Sequence, residues 1–92
     1  MSHAPYELVL TPPAIRAVRS GLPEGVAAAV IEFVTGALVE NPHRVGRQLR
    51  GDLAGIHSAR RGTYRVLYRI NEVECEVVIL RIDHRRDVYR PG

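Results

Sequence analysis

Thirteen basic side chains stand in this 92-residue chain and every one is arginine. They are not spread evenly. Residues 1–43 carry two arginines against four acids, a net of −2, whereas residues 44–92 carry eleven against six, a net of +5. A guanidinium stays charged at any physiological pH and binds phosphate in a two-pronged geometry, so this field suits an anionic polymer or an acidic protein partner. Proton exchange asks for other chemistry. Arginine, with a pKa above about 12, is a poor base. Imidazole, near 6.5, both gives and takes a proton, which makes His84, set among Arg81, Arg85 and Arg86, the candidate acid or base.

Several other chemistries are disfavoured by spacing. His3, His43, His57 and His84 follow no metal-ligand pattern, and no metal or other cofactor is expected. Asp83 and Asp87 are interleaved with Arg81, Arg85, Arg86 and Arg90, so ion pairing explains them more simply than a paired-carboxylate site. The lone Cys75 has no disulfide partner and reads as a small buried hydrophobe of a strand. Glycine-rich phosphate loops and serine elbows are absent from the sequence.

The elements that must position these groups follow from periodicity. Residues 6–10 read as a short strand. Thr11 reads as an N-cap before Pro12 and Pro13, opening a helix over about 12–20 that Gly21 ends. Pro23 and Glu24 open a second helix in which Ala27, Val30, Ile31, Val34 and Leu38 recur at helical spacing. Residues 41–55 read as a long connection with a helical turn near 47–49. Three β-branched runs, 56–61, 63–71 and 75–83, then predict an antiparallel meander.

That order predicts one α+β domain over residues 1–92. Its two helices cover one face of a mostly antiparallel sheet and leave the other open. Strand alternation puts Tyr64, Val66, Tyr68 and Ile70 on the apolar face and Arg65 and Arg69 on the open one, beside Leu67. In the preceding strand Ile56, Ser58 and Arg60 share one side and His57, Ala59 and Arg61 the other, so at least one arginine stands near Arg65. With 46% apolar residues the chain can form a thin core. It has neither the roughly 18-residue apolar run of a membrane span nor a leader pattern, and a cytoplasmic protein with no membrane partner is expected.

The stretches LRGDLAGIHSARRGTYRVLYRI, residues 49–70, and IDHRRDVYR, residues 82–90, resemble the signature of the RelE toxins of type II toxin–antitoxin pairs, within the RelE/ParE superfamily. The resemblance spans nearly the whole chain and includes the order of elements. It implies a RelE-like fold and a metal-independent endoribonuclease that cleaves mRNA in the ribosomal A site. The 2′-hydroxyl would attack the adjacent phosphate, leaving a 2′,3′-cyclic phosphate. It further implies the 70S ribosome and mRNA as partners, and a cognate acidic antitoxin, RelB-like or Phd-like, in a hetero-oligomer.

Residue by residue, Arg65 matches the family's strand arginine at the scissile phosphate. Arg60 falls near a position often cationic in relatives, where it would stabilise charge. Ser58 stands where well-studied relatives carry a second cation. Arg85 matches the family's C-terminal arginine and Tyr89 its terminal tyrosine, which stacks on or orients the substrate base. Arg47, Arg50, Arg61 and Arg69 are expected to bind substrate. The alternative is a ParE-like inhibitor of DNA gyrase, which shares the fold and has no catalytic centre. A third reading is an RNA-binding module without activity.

Overall fold

The computed structural model describes residues 5–84. Its sheet has five strands in the order β1-β5-β4-β3-β2. They are β1 (Glu7–Leu10), β2 (Arg47–Gln48), β3 (Ile56–Arg61), β4 (Tyr64–Asn71) and β5 (Glu76–His84). β3, β4 and β5 form the expected meander, β1 lies parallel to β5, and β2 is antiparallel to β3 at the far edge.

Four helices connect β1 to β2: α1 (Pro12–Arg16), α2 (Glu24–Thr35), α3 (Ala37–Glu40) and α4 (Pro42–Val45). Pro12 and Pro13 start α1 where missing amide donors cost nothing, and a π-helical turn, Ala17–Gly21, carries it on. Val30, Phe33 and Val34 form the buried stripe of α2, and Leu38 prolongs it into α3. Ile31, expected in that stripe, is 47% exposed: it lies about 100° around the helix from Val30. These side chains meet Val66, Tyr68, Val77 and Ile79 of the sheet, each fully buried. Each buried aliphatic side chain of that kind contributes about 1.5–3 kcal/mol relative to exposure.

Thr11 departs from its expected role. Its carbonyl accepts the amide of Ile15, but its hydroxyl makes no cap; it donates to the carbonyls of Ile79 (2.7 Å) and Leu80 (3.1 Å). Those carbonyls flank a β-bulge. Tyr68 pairs with Ile79 and Leu67 with Arg81, so Leu80 is the extra residue and β5 changes parity there. Val77 and Ile79 face the helices before the bulge; Ile82 and His84 face them after it. Arg81 and Asp83 are thereby turned to the open face. Without the bulge, strict alternation would carry both charges into the core.

Two further expectations are corrected. Arg47 and Gln48 form a strand rather than a helical turn, because β3 offers an open edge at Ser58 and His57; the helical turns fall on either side, in α4 and in a 3-10 turn at Gly51–Leu53. Cys75 is exposed and belongs to the β4–β5 turn at φ 58°, with β5 starting one residue later. The turn needs a residue of positive φ there, and Asn71 Oδ1 accepts the amide of Glu74 within it.

Tyr68 fastens the α4 segment to the sheet. Its hydroxyl donates to the Pro42 carbonyl at 2.6 Å, and its ring stacks on His57, its cross-strand partner, at 5.3 Å. Gly46 lies directly against this ring. A Cβ there would collide with Tyr68 Oη and come within 2.9 Å of Cζ. Since Gly46 has an extended backbone, φ −121° and ψ 175°, the requirement is for space and not for torsional freedom.

Gly46→Ala is expected to destabilise the domain by about 1–3 kcal/mol through overpacking. Tyr68→Phe leaves the buried Pro42 carbonyl without its donor, an expected loss of about 1–3 kcal/mol, and both are read by denaturant unfolding. Burial raises the Tyr68 pKa to about 12 from 10.0. The folded state therefore holds this proton where the unfolded chain releases it. The resulting stabilisation is complete below pH 10 and is lost as pH rises towards 12. Unfolding midpoints across that window should fall less steeply in Tyr68→Phe than in the natural chain.

Candidate functional site

The β3–β4 hairpin sets the centre of the site. Its connection is Gly62-Thr63, with Gly62 at φ 57° supplying the left-handed residue of a two-residue loop. A loop that short fixes the register, and the register makes Arg60 and Arg65 direct cross-strand partners on the open face. Cβ atoms so placed lie about 4.5–5.5 Å apart, and like charges directly opposed destabilise a sheet. Ser58 stands opposite Leu67 one step along, and Arg47 of β2 stands opposite Ser58.

These residues line a cleft of about 560 Å³ whose remaining walls are Arg44, Val45, Gly46 and Leu49. Among the described residues four guanidinium groups border it and no carboxylate does. Arg65 Nε is buried and has no hydrogen-bond partner among the described residues. An unsatisfied buried donor costs about 1–3 kcal/mol, and more when charged, so an entering anion would relieve that cost and the Arg60–Arg65 repulsion together.

The structure sorts the candidates sharply. Arg47, Arg60 and Arg65 converge on the cleft, together with Ser58. Arg69 points to the open face farther along β4, where it pairs in register with Ile56, and Arg50 lies exposed before the 3-10 turn; neither lines the cleft. Arg61 is on the helix side, its guanidinium carbon 4.7 Å from the centre of the Phe33 ring, a cation–π contact. His84 is also on the helix side: it is 7% exposed and sits opposite Tyr64 in register, so its ring is turned away from Arg65. Arg85 and Tyr89 lie outside the described residues.

Arg44 was not among the sequence candidates. It lies in the segment read as an irregular connection, and its spacing of three from Arg47 is the one signal that would have drawn attention to it. Val45, Gly46 and Leu49 were missed for the same reason. Their contribution is shape: they bring the α4–β2 backbone alongside the β3–β4 hairpin.

Behind the cleft lies a second polar group, built from Tyr6, His43, His57, Tyr68 and Glu72. The Glu72 carboxylate accepts the Tyr6 hydroxyl at 2.8 Å and pairs with His43, which hold its pKa below the usual range. The His57 ring lies between those of His43 and Tyr68, and burial, with His43 adding to it, lowers its pKa. None of these residues lines the cleft. They join the residue before β1, α4, β3, β4 and the β4–β5 turn, and so steady the wall that carries Arg44.

The family described as ParE toxin of type II toxin-antitoxin system, parDE, matches residues 11–89. Among individual proteins, the chain is 54% identical to toxin RelG of Mycobacterium tuberculosis, over 94% of this chain and 98% of RelG. It is 50% identical to toxin RelE of the same organism, over 94% of this chain and 88% of that one. Among solved structures it resembles the M. tuberculosis RelBE2 toxin–antitoxin complex, with a TM-score of 0.85 at 52% identity, covering 89% of this chain and all of the matched one. A mutant of E. coli toxin RelE in the free state shares the fold, with a TM-score of 0.72 at 18% identity, over 94% of this chain and 88% of that one.

If the opposed arginines form an anion site, Arg60→Gln should separate stability from binding. Without added anion this variant is expected to be more stable than the natural chain by a few tenths of a kcal/mol, because it removes a like-charge cross-strand pair. Its thermal midpoint should also respond less to inorganic phosphate, as measured by phosphate titration in a melting assay.

Proposed function

The chain belongs to the ParE toxin family of type II toxin–antitoxin systems, within the RelE/ParE superfamily, and from that premise we propose that it inhibits translation by cleaving mRNA on the ribosome. The observation that carries the reading is the Arg60–Arg65 pair in a cleft that, among the described residues, holds no acid and leaves the buried Arg65 Nε without a partner.

In this reading a backbone phosphate of mRNA sits between Arg60 and Arg65. The 2′-oxygen attacks the adjacent phosphorus, the bond from phosphorus to the 5′-oxygen breaks, and the 2′-hydroxyl proton is made good on the departing 5′-oxygen. Products are a 2′,3′-cyclic phosphate and a free 5′-hydroxyl. Arg65 holds the scissile phosphate and stabilises the charge that grows on its oxygens. Arg60 adds to that stabilisation, while Arg44 and Arg47 suit flanking phosphates along the cleft.

No metal takes part in this scheme. The arginines of the cleft exchange protons badly, and His84 faces the other side of the sheet. Proton transfer is therefore assigned to groups beyond residue 84, where Arg85 and Tyr89 fall, or to the ribosome. Dependence on the ribosome follows naturally, since a site that stabilises charge without moving protons gains most when its substrate is already aligned. The proposed partners are the 70S ribosome with its mRNA and a cognate antitoxin, the latter supported by the likeness to toxin–antitoxin complexes.

A second reading, inhibition of DNA gyrase, is favoured by the ParE description of the matching family. Induction in cells separates the two. Translational arrest with new mRNA 5′ ends inside codons supports cleavage; arrest of replication with gyrase trapped overturns it. Arg65→Ala should cut the cleavage rate by roughly 10²–10³, the usual cost of one charge-stabilising donor. Undiminished growth arrest by that variant would sink the ribonuclease reading.

A further inference from the structure

Asp83 is the natural ion-pair partner of Arg65. The two are in register on neighbouring strands, and both face the open side of the sheet. Their Cβ atoms are thus about 4.5–5.5 Å apart, within easy reach of a guanidinium–carboxylate pair. That pair is not made. Asp83 Oδ1 instead accepts the Nε–H of Arg81 at 2.7 Å, and the buried Arg65 Nε has no partner among the described residues.

The β5 bulge makes this diversion possible. It sets Arg81 opposite Leu67, on the open face two residues before Asp83. Arg81 itself is largely solvent-exposed and does not line the cleft. Among the described residues its side chain bonds to Asp83 alone.

We propose that Arg81 is a positioning residue that draws the Asp83 carboxylate away from Arg65 and so leaves the Arg65 guanidinium available to phosphate. Asp83 is then an internal competitor of the substrate, held off by Arg81. This rests on the phosphate reading of the cleft. It adds a pair outside the cleft that sets how strongly the cleft binds.

The consequence is a conditional effect. With Arg81 gone, Asp83 turns to Arg65 and occupies the donor a phosphate would use. With Asp83 also gone, Arg81 has nothing left to divert. A long-range charge effect would behave differently, because the loss of one positive charge would weaken binding equally whether or not Asp83 were present.

The test is binding of a short fluorescein-labelled single-stranded RNA, followed by anisotropy at low ionic strength, with circular dichroism melts confirming that every variant is folded. Arg81→Gln should weaken binding roughly two- to fivefold, in line with the strength of a partly exposed ion pair. Arg81→Lys should bind nearly as the natural chain does. Asp83→Asn should bind at least as tightly as the natural chain, and Arg81→Gln with Asp83→Asn should match Asp83→Asn alone. An equal loss from Arg81→Gln in both backgrounds, or no loss in either while Arg65→Ala binds poorly, overturns the positioning role alone. If Arg65→Ala binds as the natural chain does, the phosphate reading is overturned and this inference with it.

Discussion

The contact of Tyr68 with the Pro42–Gly46 backbone is the constraint on which the cleft depends. Tyr68 stands on the helix side of β4, one strand position removed from the face that carries Arg65 and Leu67. Through its hydroxyl it holds Pro42, and through its ring it sets how close Gly46 can come. The chain leaves α4 at Gly46 and enters β2 at Arg47, so the placement of Arg44 and Arg47 against Arg60 and Arg65 follows from that one aromatic ring. A buried tyrosine that resists ionisation up to about pH 12 is well suited to the task. Its hydrogen bond is buried and so shielded from competition by water.

Around this post the sheet divides its labour by face. The helix side holds Val66, Val77, Ile79 and the stripe of α2, and supplies the apolar burial on which a chain of this size depends. The open side gathers cations and forgoes the stability that neutral cross-strand pairs would give. An opposed Arg60–Arg65 pair and an unpartnered Arg65 Nε are both unfavourable in the isolated domain. Their joint presence on one hairpin is easier to understand as a site kept ready for an anion than as an accident of a solvated face.

The hairpin was legible because local rules fix it. β-branched and aromatic residues alternate along β4, Gly62-Thr63 is a tight two-residue connection, and together these determine which way Arg60 and Arg65 point. Most of the misreadings share one cause, which is long-range pairing. Arg47 and Gln48 become a strand only because the β3 edge is available, and Arg44 reaches the cleft only because Tyr68 anchors Pro42. Alternation alone would have left the orientation of His84 dependent on an unseen bulge at Leu80, and the hydroxyl of Thr11 is committed to that bulge and not to a helix cap. Cys75 illustrates the reverse: a residue of strand-like surroundings is taken by a turn whose geometry required a positive φ.

The bulge is also where the two faces are coupled. A change of parity in β5 puts Ile82 and His84 into the apolar layer and Arg81 and Asp83 beside the cleft, so one extra residue serves both sides. Carbonyls freed from regular pairing at such a point need donors, and Thr11 meets those of Ile79 and Leu80 from the start of α1. The entry to the helical layer is therefore tied to the strand position that decides whether Arg81 and Asp83 face the open side or the core. Because the bulge is held from the helix side, the open side keeps its placement even though Arg60 and Arg65 oppose each other as like charges. Four arginines facing a common space could not organise themselves, and their order is imposed from behind the sheet.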